Sequence, residues 1–148
     1  MAFMHRRKLV KRIDSDKITA AIRTAEKRTS GEIRVSVSRF FWGRVRSVAE
    51  KAFVRLGMTN TKLRNGILFF IVPSRRRFVV LGDEGIHAKV GQDFWENLAV
   101  VMSEDFRKGR FQEGLVKGIA KAGEQLAVHF PYDPLTDKNE LPDDIEFL

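Results

Sequence analysis

Three acidic side chains and one amide stand where predicted strands begin or end. Glu32 opens one strand pattern and Asn65 precedes the next, while Asp83 and Glu84 follow a third. Their carboxylate and amide oxygens are ligands that calcium and magnesium prefer, unlike the nitrogen and sulfur ligands typical of zinc sites. A turn is the plainer explanation of the last two acids, because aspartate often bonds its own backbone in turns. The residues alone therefore leave a Ca²⁺ or Mg²⁺ site and a simple turn as alternatives.

A second group mixes arginines with aromatic residues. Trp42 lies within the loop Arg39-Phe40-Phe41-Trp42-Gly43-Arg44, and an arginine run follows the second predicted strand. Such a mixture suits stacking on single-stranded bases or insertion at an anionic bilayer surface. Packing of one or more of the rings into the core is the alternative. The residues that we assign to a candidate anion-binding surface are Arg39, Trp42, Arg44, Arg75, Arg76 and Arg77.

Several common kinds of catalytic and cofactor site are absent from the sequence. There is no cysteine, which excludes disulfides, thiolate metal sites and cysteine nucleophiles. The histidines His5, His87 and His129 are scattered, and neither a phosphate-binding lysine loop nor a dinucleotide-binding glycine set occurs. The serines lack a recognisable nucleophile context. We therefore assign no catalytic residue, and the residues leave open whether the protein is an enzyme.

The helices that must position these groups follow from apolar spacing. Helical periodicity begins after Asp14 or Ser15 and returns in a second segment that closes at Gly57. It then fills the last third of the domain, with a break at Gly109 and an end at Pro131. These signals predict four helices.

Three strand patterns lie between the helices. Alternation from Glu32 to Ser38 predicts a half-buried first strand, with an apolar face in the core and a polar face in solvent. The unbroken apolar run 67–72 predicts a central strand buried on both faces, and a hairpin joins it to a third strand at 78–81. The order is thus helix, strand, helix, strand, strand, helix, helix, which predicts a single αβα layered α/β domain with a small mixed sheet.

This order also predicts which loops meet. A helix between the first two strands makes them parallel with a right-handed crossover, and the third strand runs back beside the second. Glu32, Asn65, Asp83 and Glu84 then gather at one edge of the sheet. The arginines and Trp42 gather at the opposite edge.

Charge divides the chain unevenly. The net charge is +8, but the residues from Asp133 onward hold six acids and one base, so this tail carries −5 and the preceding residues +13. We therefore divide the chain into a basic arm at 1–13, an α/β domain at 14–131 and an acidic tail at 132–148. Opposite charges predict that the tail docks on the basic body, with Ile145, Phe147 and Leu148 as apolar anchors.

Neither an apolar signal core nor a stretch of about 20 apolar residues occurs in the sequence. The chain as given reads as cytoplasmic, and as extracytoplasmic if a leader has been removed. An excess of basic residues attracts anions of any kind, so an anionic membrane surface is a candidate partner and nucleic acid a less favoured one.

With these residues in view, the chain resembles the TPM domain family, which includes thylakoid-lumen phosphatase-like and photosystem repair proteins together with many uncharacterised bacterial members. The resemblance implies an αβα fold and an acidic cluster at one sheet edge that binds divalent cations in some relatives. It also implies acid phosphatase activity, which is attributed to plant relatives. Relatives commonly carry a signal peptide and a membrane anchor, and neither is seen here. The segments that carry the resemblance are Thr29-Ser30-Gly31-Glu32-Ile33-Arg34-Val35, Arg64-Asn65-Gly66-Ile67-Leu68, Gly82-Asp83-Glu84-Gly85-Ile86 and Phe106-Arg107-Lys108-Gly109-Arg110-Phe111-Gln112-Glu113-Gly114-Leu115.

Three hypotheses of function follow. In the first, the domain is a module that binds Ca²⁺ or Mg²⁺ at the acidic edge and acts through a protein or envelope partner. In the second it is a divalent-metal-dependent phosphatase in which Glu32, Asp83 and Glu84 hold the ion that polarises a phosphoryl oxygen. In the third it binds anionic surfaces through the arginines and Trp42.

Overall fold

The structure is a computed structural model and describes residues 13–135 and 145–148. The predicted order of helices and strands is confirmed, and two short elements join it. One is a helix after the third strand and the other is a strand at the C-terminus. Most of the predicted N-terminal arm lies outside the described residues. The elements are α1 Ser15–Glu26, β1 Glu32–Val37, α2 Val45–Arg55, β2 Gly66–Val72, a 3₁₀ turn Pro73–Arg75, β3 Arg77–Gly82, α3 Glu84–Val90, α4 Gln92–Arg107, α5 Phe111–His129 and β4 Glu146–Phe147.

The sheet has the order β3-β2-β1-β4. β1 and β2 are parallel, from Glu32 opposite Gly66 to Val37 opposite Ile71. β2 and β3 are antiparallel, from Ile67 opposite Gly82 to Val72 opposite Arg77. The predicted parallel crossover and the returning third strand are therefore both confirmed. Because strand directions decide which loops share an edge, the acidic loops lie at one edge and the arginine loops at the other.

Helices cover both faces of this sheet. One face packs against α1, α4 and α5 through Ile67, Phe69 and Ile71 of β2. The other face packs against α2 through the alternate residues, including Leu68 and Phe70. This arrangement confirms the αβα layers and the burial of β2 on both sides. Among the described residues, none of the helices combines the length and apolar character that a membrane crossing requires.

β1 is more buried than its alternating pattern predicts. The polar face was expected to meet solvent, but Glu32 and Ser36 are buried and only Arg34 is half-buried. Two contacts contribute to this burial: Ser36 Oγ donates to Glu146 Oε1 at 2.7 Å, and Arg34 Nη1 donates to the Leu56 carbonyl oxygen at 3.3 Å. The prediction of a half-buried strand was wrong, because segments distant in sequence bury its polar side.

The C-terminal residues dock on the domain, as their charge predicted. Glu146 and Phe147 form β4, which runs parallel to β1 opposite Ser36 and Val37. Ile145 packs against the main core, whereas the Phe147 side chain remains 43% exposed, so the apolar anchor is mainly Ile145. Residues 136–144 of the predicted tail lie outside the described residues.

An ion pair holds β4 in place. Arg55 donates to both carboxylate oxygens of Glu146, at 2.6 and 2.9 Å, and Ser36 Oγ donates to Oε1 at 2.7 Å. The hydrogen bonds from Arg55 lower the pKa of the Glu146 carboxyl, against the opposing effect of burial and with a smaller contribution from Ser36. Because the pKa is lowered on docking, this stabilisation is present above the pKa of a free glutamate and is lost as the pH falls through the lowered value.

Candidate functional site

The acidic edge is the place where three loops meet. The Glu32 amide, at the start of β1, donates to the Asn65 carbonyl oxygen at 3.4 Å. The Asp83 amide, just after β3, donates to the Gly66 carbonyl oxygen at 2.9 Å. The structure therefore brings together the three loops that carry the predicted oxygen ligands.

Arg64 is the residue at this edge that the sequence reasoning missed. Its guanidinium donates two hydrogen bonds to the Asp83 carboxylate, Nε to Oδ2 at 2.6 Å and Nη2 to Oδ1 at 2.9 Å. Its Nη1 also reaches Glu84 Oε1 at 3.2 Å. The hydrogen bonds that Arg64 donates to Asp83 raise the pKa of Arg64, against the opposing effect of desolvation and with smaller contributions from the charges of Asp83 and Glu84. Two of the four predicted ligands thus already share a cation that the protein supplies.

The backbone around Arg64 is shaped to make this contact. Arg64 has φ of 51°, a left-handed conformation that side chains other than glycine, asparagine and aspartate rarely adopt. In it, the Arg64 carbonyl oxygen accepts from the amides of Gly85 at 2.8 Å and Ile86 at 3.3 Å. The loop before β2 is therefore hydrogen-bonded to the start of α3. These bonds fix the position of Arg64 relative to the carboxylates of Asp83 and Glu84.

Asp83 has a structural role besides its pairing with Arg64. Its Oδ1 accepts from the Glu84 amide at 2.8 Å, and the residue is the N-cap of α3. A carboxylate bonded to its own backbone is what the turn alternative predicted. Asp83 is also buried, with an exposure of only 6%.

Asn65 presents a buried acceptor that nothing described satisfies. The residue is 1% exposed, and its Nδ2 donates to Ser30 Oγ at 3.4 Å. Its Oδ1 has no hydrogen-bond partner among the described residues. Burying an amide oxygen without a partner carries a desolvation cost of roughly 1–3 kcal/mol. An acceptor left in this state indicates a place for a donor or a cation.

The remaining predicted ligands differ in their surroundings. Glu32 is buried at the start of β1, whereas the Glu84 side chain is 73% exposed. Within residues 13–135 and 145–148, no group of three or more histidine, cysteine, aspartate or glutamate side chains is arranged to hold a metal ion. With the Arg64 pairings in place, the edge brings the loops together without a ready cluster of carboxylates.

The opposite edge joins the aromatic loop to the loop after β2 through Arg75. Its Nη1 donates to the carbonyl oxygens of Phe41 at 3.2 Å and Gly43 at 2.8 Å, and its guanidinium carbon lies 5.4 Å from the centre of the Phe41 ring. Phe41 packs on the core beside Phe70. Arg75 and Phe41 therefore hold the loop in place, which confirms for Phe41 the alternative that one ring turns inward.

Trp42 points the other way. It is 89% exposed, and its ring lies approximately perpendicular to that of Phe40, with the ring centres 4.8 Å apart. Arg39, Arg44 and Arg77 are likewise exposed. Arg76 is used differently, because its Nη1 donates to the Arg107 carbonyl oxygen at 3.1 Å. Of the six residues assigned to anion binding, Trp42 and these three arginines are thus the most available for a partner.

Comparisons with known proteins agree with this architecture. A model of the TPM domain matches residues 5–125 of the chain. The NMR structure of the BA42 protein from the psychrophilic bacterium Bizionia argentinensis superposes with a TM-score of 0.84 at 42% sequence identity, covering 90% of this chain and 92% of that one. No curated protein matches the chain.

Proposed function

The chain belongs to the TPM domain family, and from this premise we propose that it is a module that binds Ca²⁺ or Mg²⁺ at the acidic edge, in exchange for the Arg64 guanidinium, and acts through a protein or envelope partner. One observation carries the proposal: the buried Asn65 Oδ1, which has no hydrogen-bond partner among the described residues, lies where the Asp83 and Glu32 loops meet. The ion would take this oxygen together with carboxylates of Glu32, Asp83 and Glu84. All are hard oxygen ligands of the kind that these ions require.

Exchange with Arg64 would explain why the described part of the chain shows no ready cluster of carboxylates. Asp83 and Glu84 carry two negative charges between them, and Arg64 supplies one positive charge. A divalent ion would neutralise both carboxylates and also satisfy the amide oxygen. The Arg64 side chain is 39% exposed, so it can turn into solvent without losing its hydration. Binding would then change the surface that a partner meets, from a closed ion pair to a bound ion beside a released arginine.

The first expected result is a localised response to the ion. Titration with Ca²⁺ or Mg²⁺, followed by backbone NMR, should shift the amide signals of Glu32, Asn65, Asp83 and Glu84. Glu84→Gln removes one exposed charge and should weaken binding several-fold without altering the fold, since surface substitutions usually change stability by under about 0.5 kcal/mol. Glu104→Gln, which removes the same charge from another exposed position on α4, serves as the matched control. Shifts elsewhere, or no shift at millimolar ion, would contradict the proposal.

The same titration separates a binding module from an enzyme. If the protein turns over a generic phosphate ester, and chelation and Glu84→Gln both abolish that turnover, the metal-dependent phosphatase replaces the binding module as the function. Binding of the ion without turnover supports the module.

A second candidate function is binding to an anionic bilayer surface, and the exposure of Trp42 is the observation that favours it. An exposed tryptophan in a loop, with Arg39 and Arg44 on either side in the sequence, matches the composition of segments that insert at the interface of acidic membranes. Arg75 and Phe41 hold the loop in place, so the backbone that carries the indole is already ordered before it contacts a bilayer. Stacking on single-stranded bases is the outcome that would replace it.

The arginines and Trp42 are expected to contribute to vesicle binding in different ways. Replacing Arg39, Arg44 and Arg77 with glutamine should weaken binding to phosphatidylglycerol vesicles and flatten its dependence on salt, because exposed arginines act through screened charge. Trp42→Ala should weaken binding with little change in the salt dependence. The matched control replaces three exposed lysines elsewhere, Lys62, Lys89 and Lys121, with glutamine. An equal loss of vesicle affinity in both triple variants would show that net charge alone is responsible. Tighter binding to single-stranded nucleic acid than to vesicles would identify nucleic acid as the partner instead.

A further inference from the structure

The outer edge of β3 has no strand beside it in the described part of the chain. The sheet order β3-β2-β1-β4 places β3 at the end opposite β4. Residues 136–144 lead into β4 at that other end, and residues 1–12 lead towards α1, which packs mainly against α5 and β1. Neither range adjoins β3 in the sequence. β3 is therefore an edge strand of the described sheet.

The hydrogen-bond pattern shows which backbone groups of β3 face outward. The Asp83 amide donates to the carbonyl oxygen of Gly66, the residue opposite it in the register of β2 and β3. Along an antiparallel strand, successive residues direct their N–H and C=O groups alternately to one side and the other. Asp83 bonds towards β2, so the residues one, three and five positions before it face outward. These residues are Gly82, Val80 and Phe78, and no described residue beyond the sheet hydrogen-bonds to their backbone groups.

β3 also lacks the features that protect an edge strand from pairing. Such strands commonly carry a lysine, a proline or a bulge, each of which hinders the approach of another chain. From Phe78 to Gly82 there is no charged residue and no proline, and the pairing with β2 runs without a bulge. The apolar side chains of this segment, Phe78-Val79-Val80-Leu81, are only half-buried. The edge is therefore suited to receive another strand.

We propose that β3 pairs with β3 of a second copy of the chain, antiparallel and about a twofold axis at Val80. In this register Val80 lies opposite its own copy and Phe78 lies opposite Gly82. Every outward-facing N–H of one copy then meets an outward-facing C=O of the other. Self-complementary pairing about a twofold axis is the commonest arrangement of homodimers. The two sheets would join into one continuous sheet.

Charge favours the same antiparallel register. β3 follows the arginine run 75–77 and precedes Asp83 and Glu84, so it is basic at its start and acidic at its end. Antiparallel pairing about Val80 places Arg77 opposite Asp83 of the second copy, with Glu84 next to it. A parallel pairing would instead place like charges together. Arg77 is exposed and the Glu84 side chain is 73% exposed, so both are accessible to a second copy. The strand therefore complements itself in charge as well as in hydrogen bonds.

The test measures self-association of the full chain by analytical ultracentrifugation from about 10 µM to about 1 mM, the range of weak affinities. A chelator is present throughout, so the result does not depend on the proposed ion. The wild type should dimerise in this range. Arg77→Glu places like charges together at both ends of the paired strands and should raise the dissociation constant about tenfold.

A charge exchange and a matched control make this result specific to the register. Adding Glu84→Arg to the Arg77→Glu chain restores opposite charges and should return the dissociation constant to within about threefold of the wild-type value. Arg28→Glu is the same reversal at an exposed position at the end of α1 and should leave the dissociation constant unchanged. An Arg77→Glu variant that associates like the wild type, or a double variant no better than Arg77→Glu, overturns the proposal.

Deuterium exchange of the backbone amides tests the register directly. The amides of Phe78, Val80 and Gly82 should exchange more slowly as the protein concentration rises, because the second copy occupies them. The Val79 and Leu81 amides face β2, so their exchange should not depend on concentration, and they serve as an internal control. A chain that stays monomeric up to the highest concentration, or a dimer without this alternating protection, overturns the proposal.

Discussion

Arg64→Gln is expected to raise the affinity of the acidic edge for Ca²⁺ about tenfold or more, because the bidentate, charge-assisted pairing with Asp83 is among the stronger contacts that a competing ion must break. In the wild type the ion must displace a guanidinium that holds Asp83 at 2.6 and 2.9 Å. Glutamine keeps much of the length of the side chain but carries no charge. The affinity is measured by calorimetric titration of both proteins at one ionic strength.

The substitution should also widen the difference in unfolding temperature between the ion-free and the ion-bound protein. Without Arg64 the buried Asp83 carboxylate loses its charge partner, so the ion-free variant should unfold at a lower temperature than the wild type. The same high concentration of Ca²⁺ should then raise the unfolding temperature more in the variant than in the wild type, since stabilisation by a ligand grows with the logarithm of its concentration divided by its Kd.

Lys62→Gln is the matched control for long-range charge. Lys62 is exposed in the same loop, two residues before Arg64, and its replacement removes the same formal charge. It should change Ca²⁺ affinity only slightly, because exposed charges are screened by salt. An Arg64→Gln variant with unchanged or weaker Ca²⁺ binding would show that Arg64 supports the site and does not compete for it.

Gly85→Ala is expected to destabilise the protein by about 2–3 kcal/mol, through overpacking against the backbone. A Cβ at position 85 would lie 2.1 Å from the Leu63 carbonyl oxygen and 2.6 Å from that of Arg64. Both neighbours are backbone atoms, so no side chain can turn aside to make room. The amide of Gly85 would be pushed away from the Arg64 carbonyl oxygen, and the loop that presents Arg64 and Asn65 would separate from α3.

The sign of this effect makes the experiment decisive. Gly85 lies in helix α3, where alanine is normally better than glycine by about 0.5–1 kcal/mol. Helix propensity alone therefore predicts a more stable variant, and the contact with residues 63 and 64 predicts the opposite. Thermal unfolding should show a decrease of roughly 5–10 °C for a domain of this size.

Gly43→Ala separates the contact from backbone strain. A Cβ at Gly43 would meet no described atom within 4 Å, but its φ is 114°, so alanine there suffers strain alone. We expect a loss of about 1 kcal/mol, clearly smaller than that for Gly85→Ala. A Gly85→Ala variant as stable as the wild type would mean that α3 and the Arg64 loop move apart freely, and that the acidic edge is not held in register.

Much of the fold could be predicted because its signals are local. The apolar run of β2 needs burial on both faces, and one helix between β1 and β2 allows only a parallel pairing with the usual handedness. Those two facts place the loops of Glu32, Asn65 and Asp83 at one edge without any knowledge of side-chain contacts. The docking of the C-terminal residues was predictable for a similar reason, since charge and apolar content are properties of composition.

The elements that escaped prediction are short or depend on distant partners. α3 has seven residues and β4 has two, too few for a periodic pattern to stand out. The burial of the polar face of β1 depends on Glu146 and on the Leu56 carbonyl oxygen, neither of which leaves a signal in the strand itself. A local sequence pattern indicates the secondary structure of a segment, whereas its burial also depends on which distant segments of the chain pack against it.

By itself, the sequence determined the αβα architecture and which loops share an edge, since strand order and direction follow from hydrophobic pattern and connection length. Only the tertiary structure decided what those loops hold. Arg64 precedes Asn65 in sequence, yet its pairing with Asp83 requires β2 and β3 to lie side by side and Arg64 to adopt a left-handed backbone. The bond exists because two residues nineteen positions apart meet across a hairpin. Side-chain pairing of this kind depends on the relative positions of whole strands, and no local pattern records it.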